Sequence, residues 1–504
     1  MEHCRIKTRY GTYNGFVTST GVNTWLGIPY AKPPIGPRRW HAPEPLDSCD
    51  KEIGAIEFGP SQMQHYDPYE LASVRPCSED CLTLNVWTRN IGLKGKPVMV
   101  YIHGGGYYSG GSADPLYNGE MIATRNDVVV VTINYRINFY GFMNFAEVDP
   151  EFADSGYLGI KDQVAALTWV HENIEAFGGD PGNVTLFGES AGSGSSSLLM
   201  VTPAAKGLFH KVIAESGPIQ LYESYDHSKQ FAPEFMELCG CKTMQEMMTK
   251  PAAEMVEPYH QFCERHYYDV ELLFAPTCDG KFIPEKPLQA LKDGAAKDIK
   301  LMTGTTVNEY NYWGLYYEDL EHEMPGFHDL MMPIMFDENY AGRDALYQRW
   351  QQGHRELEPG ARYLEFMTQM DFRVGQELMA EYQSRFNDVY MYLFSYESTI
   401  PGLGSCHAIE VPFVFHHLDT ESGMNFTGPD APNHLADEVQ AAWVNFAASG
   451  NPNSPLAPAW KPYSAEDREI MEINADEWVC HKDLNIENLK MLRHVYEDSI
   501  LDRR

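Results

Sequence analysis

The clearest patterning lies between residues 94 and 192. An apolar run at 97–103 leads into Gly104-Gly105-Gly106, and a second at 127–135 holds four consecutive valines. Short, uniformly apolar runs of this kind predict strands buried on both faces of a parallel sheet. From 159 to 178 the period changes. Val164, Leu167, Trp169, Val170, Ile174 and Phe177 fall on one helical face, and Gly178-Gly179 supplies a stop. A third apolar run at 182–188 passes straight into Glu189-Ser190-Ala191-Gly192 and a serine-rich helical start. Strand, helix, strand, tight turn and helix predict an α/β class with a mostly parallel sheet flanked by helices.

Outside this block the pattern is looser. The first residues alternate as a strand, a turn at Gly11 and a second strand. Residues 220–400 are rich in Met, Tyr, Glu and His, and read as largely helical insertions covering one edge of the sheet. Within them, the methionine-rich stretch 321–336 reads as an adaptable lid. A strand returns at 388–396, a helix ended by Gly450 follows at 437–450, and another helix is expected at the C-terminus.

Length alone would suggest about three domains, a division that the motif positions below argue against. The chain has 504 residues, 43% of them hydrophobic and 12% aromatic, as expected for a globular protein. With 38 basic and 71 acidic residues the formal net charge is -33. Such a surface repels phosphate backbones and anionic membranes, so nucleic-acid and membrane partners are not expected. No apolar run approaches the roughly 18 residues of a membrane helix, and no secretory signal opens the chain. Ten cysteines are too sparse for a disulfide scaffold. Neither Cys77/Cys81 nor Cys239/Cys241 has the matching partners of a zinc site, so neither metal nor cofactor is expected. Reduced thiols in a cytoplasmic protein are the simplest reading.

Gly188-Glu189-Ser190-Ala191-Gly192 fits G-x-S-x-G, the sharp turn that presents a nucleophilic serine at the edge of a sheet. A serine hydroxyl needs a base to take its proton, a third group to orient that base, and fixed donors for the developing oxyanion. His103-Gly104-Gly105-Gly106 has the form of an oxyanion loop and precedes the elbow in the chain, as that fold requires.

These motifs join longer stretches at 25–40, 78–87, 101–110, 128–142, 156–192, 274–287 and 406–415. In them the chain resembles the type-B carboxylesterases, the family of the cholinesterases and bacterial para-nitrobenzyl esterases. The resemblance runs nearly end to end and implies an α/β-hydrolase fold in one large domain, 1–504, with the insertions at about 220–400 forming cap and gorge walls. By position, Ser190 is the nucleophile, His407 in "SCHAIEVPFVF" the base, and Glu309 in "MTGTTVNEYNYWG" the acid. The oxyanion donors are the N–H groups of Gly105, Gly106 and Ala191. The order Ser190, Glu309, His407 is that of an α/β hydrolase. His103, His171, His416 and His417 are the other histidines near a motif, and Asp279 is the competing carboxylate.

The implied reaction is two-step acyl transfer on a small-molecule ester, with no cofactor. Amide, carbamate or thioester cleavage by the same machinery is the enzymatic alternative, and a non-catalytic binding role on this fold is the other. Glu189 should lie at the pocket floor. Tyr107, Tyr108 and Trp313, with Tyr310, Tyr312, Tyr316 and Tyr317, could line a pocket for an apolar or aromatic ester or simply pack.

The chain departs from the family in three places. Tyr310 stands where a glycine usually follows the acid, which puts the conformation of that loop in question. Gln62 stands where secreted members carry the cysteine that pairs with the one in "SEDC", here Cys81. A second family disulfide lacks its closing cysteine. The two missing cysteines, with no secretory signal, point to an intracellular, bacterial enzyme.

Overall fold

The computed structural model describes residues 2–64, 76–266, 274–315 and 343–495. The lid expected at 321–336, and Tyr316 and Tyr317, lie outside them.

Fifteen strands are described: β1 (His3–Thr8), β2 (Gly11–Val17), β3 (Asn23–Pro29), β4 (Glu52–Gly54), β5 (Thr83–Thr88), β6 (Lys96–Ile102), β7 (Val129–Ile133), β8 (Gly179–Glu189), β9 (Lys211–Glu215), β10 (Glu223–Ser224), β11 (Thr277–Cys278), β12 (Lys300–Thr306), β13 (Val389–Phe394), β14 (Glu469–Ile473) and β15 (Trp478–Lys482). All but β10 and β11, which pair with each other, belong to one sheet. Its order is β1-β2-β3-β5-β7-β6-β8-β9-β12-β13-β14-β15, with β4 beside β2. From β7 to β14 neighbouring strands are parallel; both margins are antiparallel except for β4, which pairs with β2 in parallel.

The apolar runs land where their patterning placed them. Every residue of β7 and β9 is buried, and in β6 all but Pro97 are. Their side chains are covered on both faces by helices, so no polar alternation is needed. The helix Leu158–Asn173 buries Leu167, Trp169 and Val170, continues as a 3-10 turn over Ile174–Phe177, and stops at Gly178, whose φ is 90°. The helix expected at 437–450 spans Asn433–Ser449 and packs behind the sheet.

Residues 220–400 are not insertion throughout. β12 pairs with β9 on one side and β13 on the other, well inside the sheet. The helical material lies before and after it. Residues 359–383 run as an α-helix (Pro359–Met367), a π-helical turn (Thr368–Arg373) and a second α-helix (Val374–Gln383). Parallel strands point their C-terminal ends the same way. The loops leaving β6, β8, β9, β12 and β13 therefore gather along one edge, where a ligand crevice is expected.

Candidate active site

Ser190 follows β8 directly and holds φ 58°, ψ -126°, a conformation costly for a residue with a side chain. Crowding around the turn explains its composition. A Cβ on Gly192 would lie 1.9 Å from Ile102 O, and one on Gly217 would lie 2.0 Å from Ser190 O. The turn is pinned by Ser190 N–H donating to Glu215 O at 2.9 Å and Gly194 N–H donating to Ser190 O at 2.9 Å. Ala191 opens the helix Ala191–Val201, so its N–H is one of the amides that a helix start leaves without an intrahelical acceptor.

The oxyanion loop leaves β6 beside this turn. A Cβ on Gly104 would meet Glu189 O at 2.7 Å and Ser190 Cβ at 3.0 Å. Gly105 and Gly106 have φ of 100° and 55°. Among the described residues no protein acceptor takes a hydrogen bond from either of their amides.

Glu309 and His407 come together. Glu309 is fully buried, and its Oε2 lies 2.7 Å from His407 Nδ1. Its Oε1 accepts from Ser216 Oγ at 2.7 Å and from Thr306 N–H at 2.7 Å, and His407 N–H donates to Glu309 O at 3.2 Å. Each oxygen thus has a partner, which fixes the carboxylate plane against the imidazole edge. Tyr310 does not disturb the loop, because its φ is -73° and no left-handed residue is required there. Its N–H donates to Thr368 Oγ1 and its hydroxyl to Asp371, so this glutamate loop is tied to the π-helical turn.

The other nitrogen of His407 is not bonded to Ser190. Nε2 lies 2.9 Å from Glu189 Oε1, but the two atoms lack the alignment of a hydrogen bond, and each is left without a partner. We take this as a close ionic contact rather than a hydrogen bond, because directionality decides the latter. Burial alone would push the His407 imidazole down. The carboxylates of Glu189 and then Glu309 outweigh it and hold His407 well above its ordinary value. Burial pushes the Glu189 carboxyl up. Glu215 is raised well above its ordinary value, and Glu410 is pushed up to about 8, both mainly by burial.

The competing residues are engaged elsewhere. Asp279 Oδ1 accepts the N–H groups of Lys281, Phe282 and Ile283, and Oδ2 accepts Tyr157 Oη, which makes it a turn residue. His103 is buried beneath the oxyanion loop. His171 is exposed on its helix, His416 pairs with Asp437, and His417 bonds Asn118 O.

The aromatic residues divide. Tyr107 is packed into the core, edge-on to Phe142 at 5.2 Å with its hydroxyl donating to Leu221 O, so its ring is a packing element rather than a pocket surface. Tyr108 is half-buried, and its ring lies against Gly106. The Trp313 ring centroid lies 4.9 Å from that of His407, and Tyr312 stacks on Phe426. Phe372, which sequence reasoning did not single out, lies 4.8 Å from His407 and stacks on Trp313. Ser216 and Glu410 were also missed. Ser216 directly follows the strand next to the elbow, and that position was the available signal. Glu410 stands within the quoted motif around His407.

The model of the carboxylesterase family matches residues 2–491. The chain belongs to the carboxylesterase family. It is a carboxylic ester hydrolase with an α/β-hydrolase fold. It is 36% identical over 484 residues to the para-nitrobenzyl esterase of Bacillus subtilis, covering 94% of this chain and 96% of that one. It is 29% identical to the acetylcholinesterase of Bungarus fasciatus, over 93% and 82% of the two chains. Among solved structures, a thermophilic para-nitrobenzyl esterase aligns with a TM-score of 0.87 at 32% identity, over 97% of this chain and all of that one. A carboxylesterase of Geobacillus stearothermophilus aligns at 0.85 and 34%, over 97% and 99%. Among the described residues no helix is long and apolar enough to cross a membrane, and the ten cysteines are free thiols.

Proposed function

We propose that this carboxylesterase works by two-step acyl transfer through Ser190, His407 and Glu309, and that the chain acts as one catalytic unit. The observation that carries the reading is the buried Glu309–His407 contact of 2.7 Å, on the same sheet edge as the strained Ser190 turn. In the first step His407 Nε2 takes the Ser190 Oγ proton as Oγ attacks the ester carbonyl. The oxyanion that forms is held by the N–H groups of Gly105, Gly106 and Ala191. Collapse expels the alcohol, which receives the proton from His407, and leaves an acyl-serine. Water repeats the sequence and releases the acid. Glu309 keeps the imidazole oriented and offsets its positive charge.

The resting contact between His407 and Glu189 means that Nε2 must exchange one carboxylate for the serine hydroxyl. Catalytic hydrogen bonds often tighten only when substrate is bound. Small-to-medium apolar or aromatic esters fit the surroundings, because Trp313 and Phe372 flank the base and Tyr108 lies on the oxyanion loop. The free thiols fit a reducing compartment such as the cytoplasm.

The test is release of para-nitrophenol from its acetate and butyrate esters, with Ser190→Ala alongside. The wild type should turn over both esters and the variant neither. Equal rates in the two proteins would end the proposal.

A further inference from the structure

Beneath the oxyanion loop runs a short strap, residues 60–64. Asn134 Nδ2 donates to Pro60 O at 3.0 Å and Asn138 Nδ2 to Met63 O at 2.6 Å. Gln64 makes two bonds to one residue of the loop: its Nε2 donates to Gly110 O at 2.9 Å, and its Oε1 accepts from Gly110 N–H at 3.0 Å. Between these anchors Gln62, 1% exposed, places Nε2 at 2.7 Å from His103 Nε2.

We propose that Gln62 is a positioning residue for the oxyanion loop, holding His103 in the tautomer whose Nδ1–H fixes the peptide that aims the Gly105 N–H into the site. The inference rests on the acyl-transfer reading above and deepens it.

The proton assignment follows from the partners. His103 Nδ1 lies 2.8 Å from Gly104 O, and a carbonyl only accepts, so Nδ1 carries the proton. Burial pushes the imidazole down to about 4, so at neutral pH the ring is uncharged and Nε2 is a bare acceptor. Only the NH2 end of the Gln62 amide satisfies it, which also fixes the orientation of that amide. His103 is held on its remaining sides by a stacked Tyr135 ring at 4.5 Å, whose hydroxyl donates to His103 O at 2.8 Å.

The consequence for the site is geometric. In a planar trans peptide the C=O of one residue and the N–H of the next point in opposite directions. Drawing Gly104 O back onto His103 turns the Gly105 N–H the other way. Without a donor at Gln62, the Nε2–H tautomer becomes competitive, and Nδ1 then presents a lone pair to Gly104 O. The peptide loses its anchor and the oxyanion donor its aim. The family resemblance places a disulfide cysteine at this position, joined to Cys81. Gln62 and Cys81 line the same small cavity, so a hydrogen bond to His103 stands where a covalent tie would run.

The experiment uses the full chain labelled with 15N-histidine and compares wild type with Gln62→Met, which keeps length but lacks a donor. His103 is assigned by difference with His103→Asn. Long-range 1H–15N spectra read the tautomer without turnover. kcat and KM on para-nitrophenyl acetate, affinity for a trifluoromethyl ketone that forms a tetrahedral adduct, and melting temperature complete the set. Wild type should show the Nδ1–H tautomer. Gln62→Met should show a measurable share of the Nε2–H form that wild type lacks, with kcat and adduct affinity each lower by up to about tenfold and KM within about twofold, the scale of one buried hydrogen bond. An Nε2–H tautomer in wild type, or wild-type kcat in Gln62→Met, overturns the proposal. So does a loss that follows melting temperature while the tautomer stays unchanged. Failure of Ser190→Ala to lose activity would sink the acyl-transfer reading and leave the tautomer result standing.

Discussion

His407 Nε2 and Glu189 Oε1 stand 2.9 Å apart, and neither has another partner. In the proposed mechanism this nitrogen receives the serine proton, and it faces a carboxylate that favours the imidazolium. Only the neutral imidazole can act as base. Because Glu189 and Glu309 outweigh burial and hold His407 above its ordinary value, the acid limb of kcat/KM should inflect above the usual histidine range, about 6.5. Glu189→Gln removes one of those charges, so the limb should move to lower pH. Superimposable pH profiles for the two proteins would show that Glu189 does not set the base's protonation.

Glu309→Gln keeps the volume of the acid but replaces the oxygen facing His407 Nδ1 with an ambiguous amide. Loss of the correct tautomer and of the compensating charge should lower kcat by about 10^3- to 10^4-fold. Asp279→Asn is the control, since Asp279 caps a turn through three backbone N–H groups. It should lower the melting temperature and leave the activity of folded enzyme within about twofold. The opposite ranking of the two variants would exchange their roles.

Ser216 is the third support of the base. Its hydroxyl donates to Glu309 Oε1 at 2.7 Å from just past the strand next to the elbow. A hydrogen bond to a charged group contributes about 1.5–3 kcal/mol. Ser216→Ala should therefore reduce kcat by about 10- to 100-fold with KM little changed, and Ser216→Thr should restore much of it. An unchanged kcat in Ser216→Ala would mean that Thr306 N–H alone holds the carboxylate.

The sequence made some parts of this arrangement readable and hid others for physical reasons. Apolar runs such as 127–135 read directly as strands because burial on both faces removes any polar signal. The elbow read directly because crowding by Ile102 O admits only glycine at 192. The motifs that named Ser190, His407 and Glu309 carry local backbone demands, and the structure brings Glu309 and His407 together. Phe372 left no such trace. It reaches His407 from a π-helical turn, and nothing in "TQMDFR" distinguishes that turn from ordinary helix. Tyr107 was open between pocket and packing because a residue following that loop can face either way, and in the structure, at φ 62°, its ring lies in the core. The strand Lys300–Thr306 was hidden within an irregular stretch because its "TGTT" end lacks an apolar pattern.

Tyr310 gives a sharper test of that last region. Its ring is 5% exposed, lies 4.9 Å from Trp313 and 5.9 Å from Phe372, and its hydroxyl reaches Asp371. Tyr310→Gly, which restores the residue common in the family, should destabilise the protein by about 3 kcal/mol or more through the cavity alone. Tyr310→Phe, which keeps the ring, should cost about 1 kcal/mol. Differential scanning calorimetry should rank wild type, Phe and Gly in that order. A glycine variant as stable as wild type would show that the ring fills no essential space.

Glu410 couples the site to the pH dependence of stability. Its carboxyl is fully buried, with Oε1 accepting from Tyr392 Oη at 3.2 Å and lying 3.4 Å from Ser216 Oγ, whose proton goes to Glu309. Burial, then the charges of Glu309 and Glu189, push it from 4.5 up to about 8. A carboxyl raised in the folded state binds its proton more tightly there than in the unfolded chain. Its contribution is therefore complete below the unfolded value and is lost as pH rises toward about 8. Glutamine at 410 has no carboxyl proton to lose and keeps an acceptor for the Tyr392 hydroxyl. The melting temperature of Glu410→Gln minus that of wild type should climb between about pH 5 and 8 and level off above. A difference that is flat across that window would mean Glu410 is already charged in the fold, with the His407 imidazolium as its nearest compensating charge.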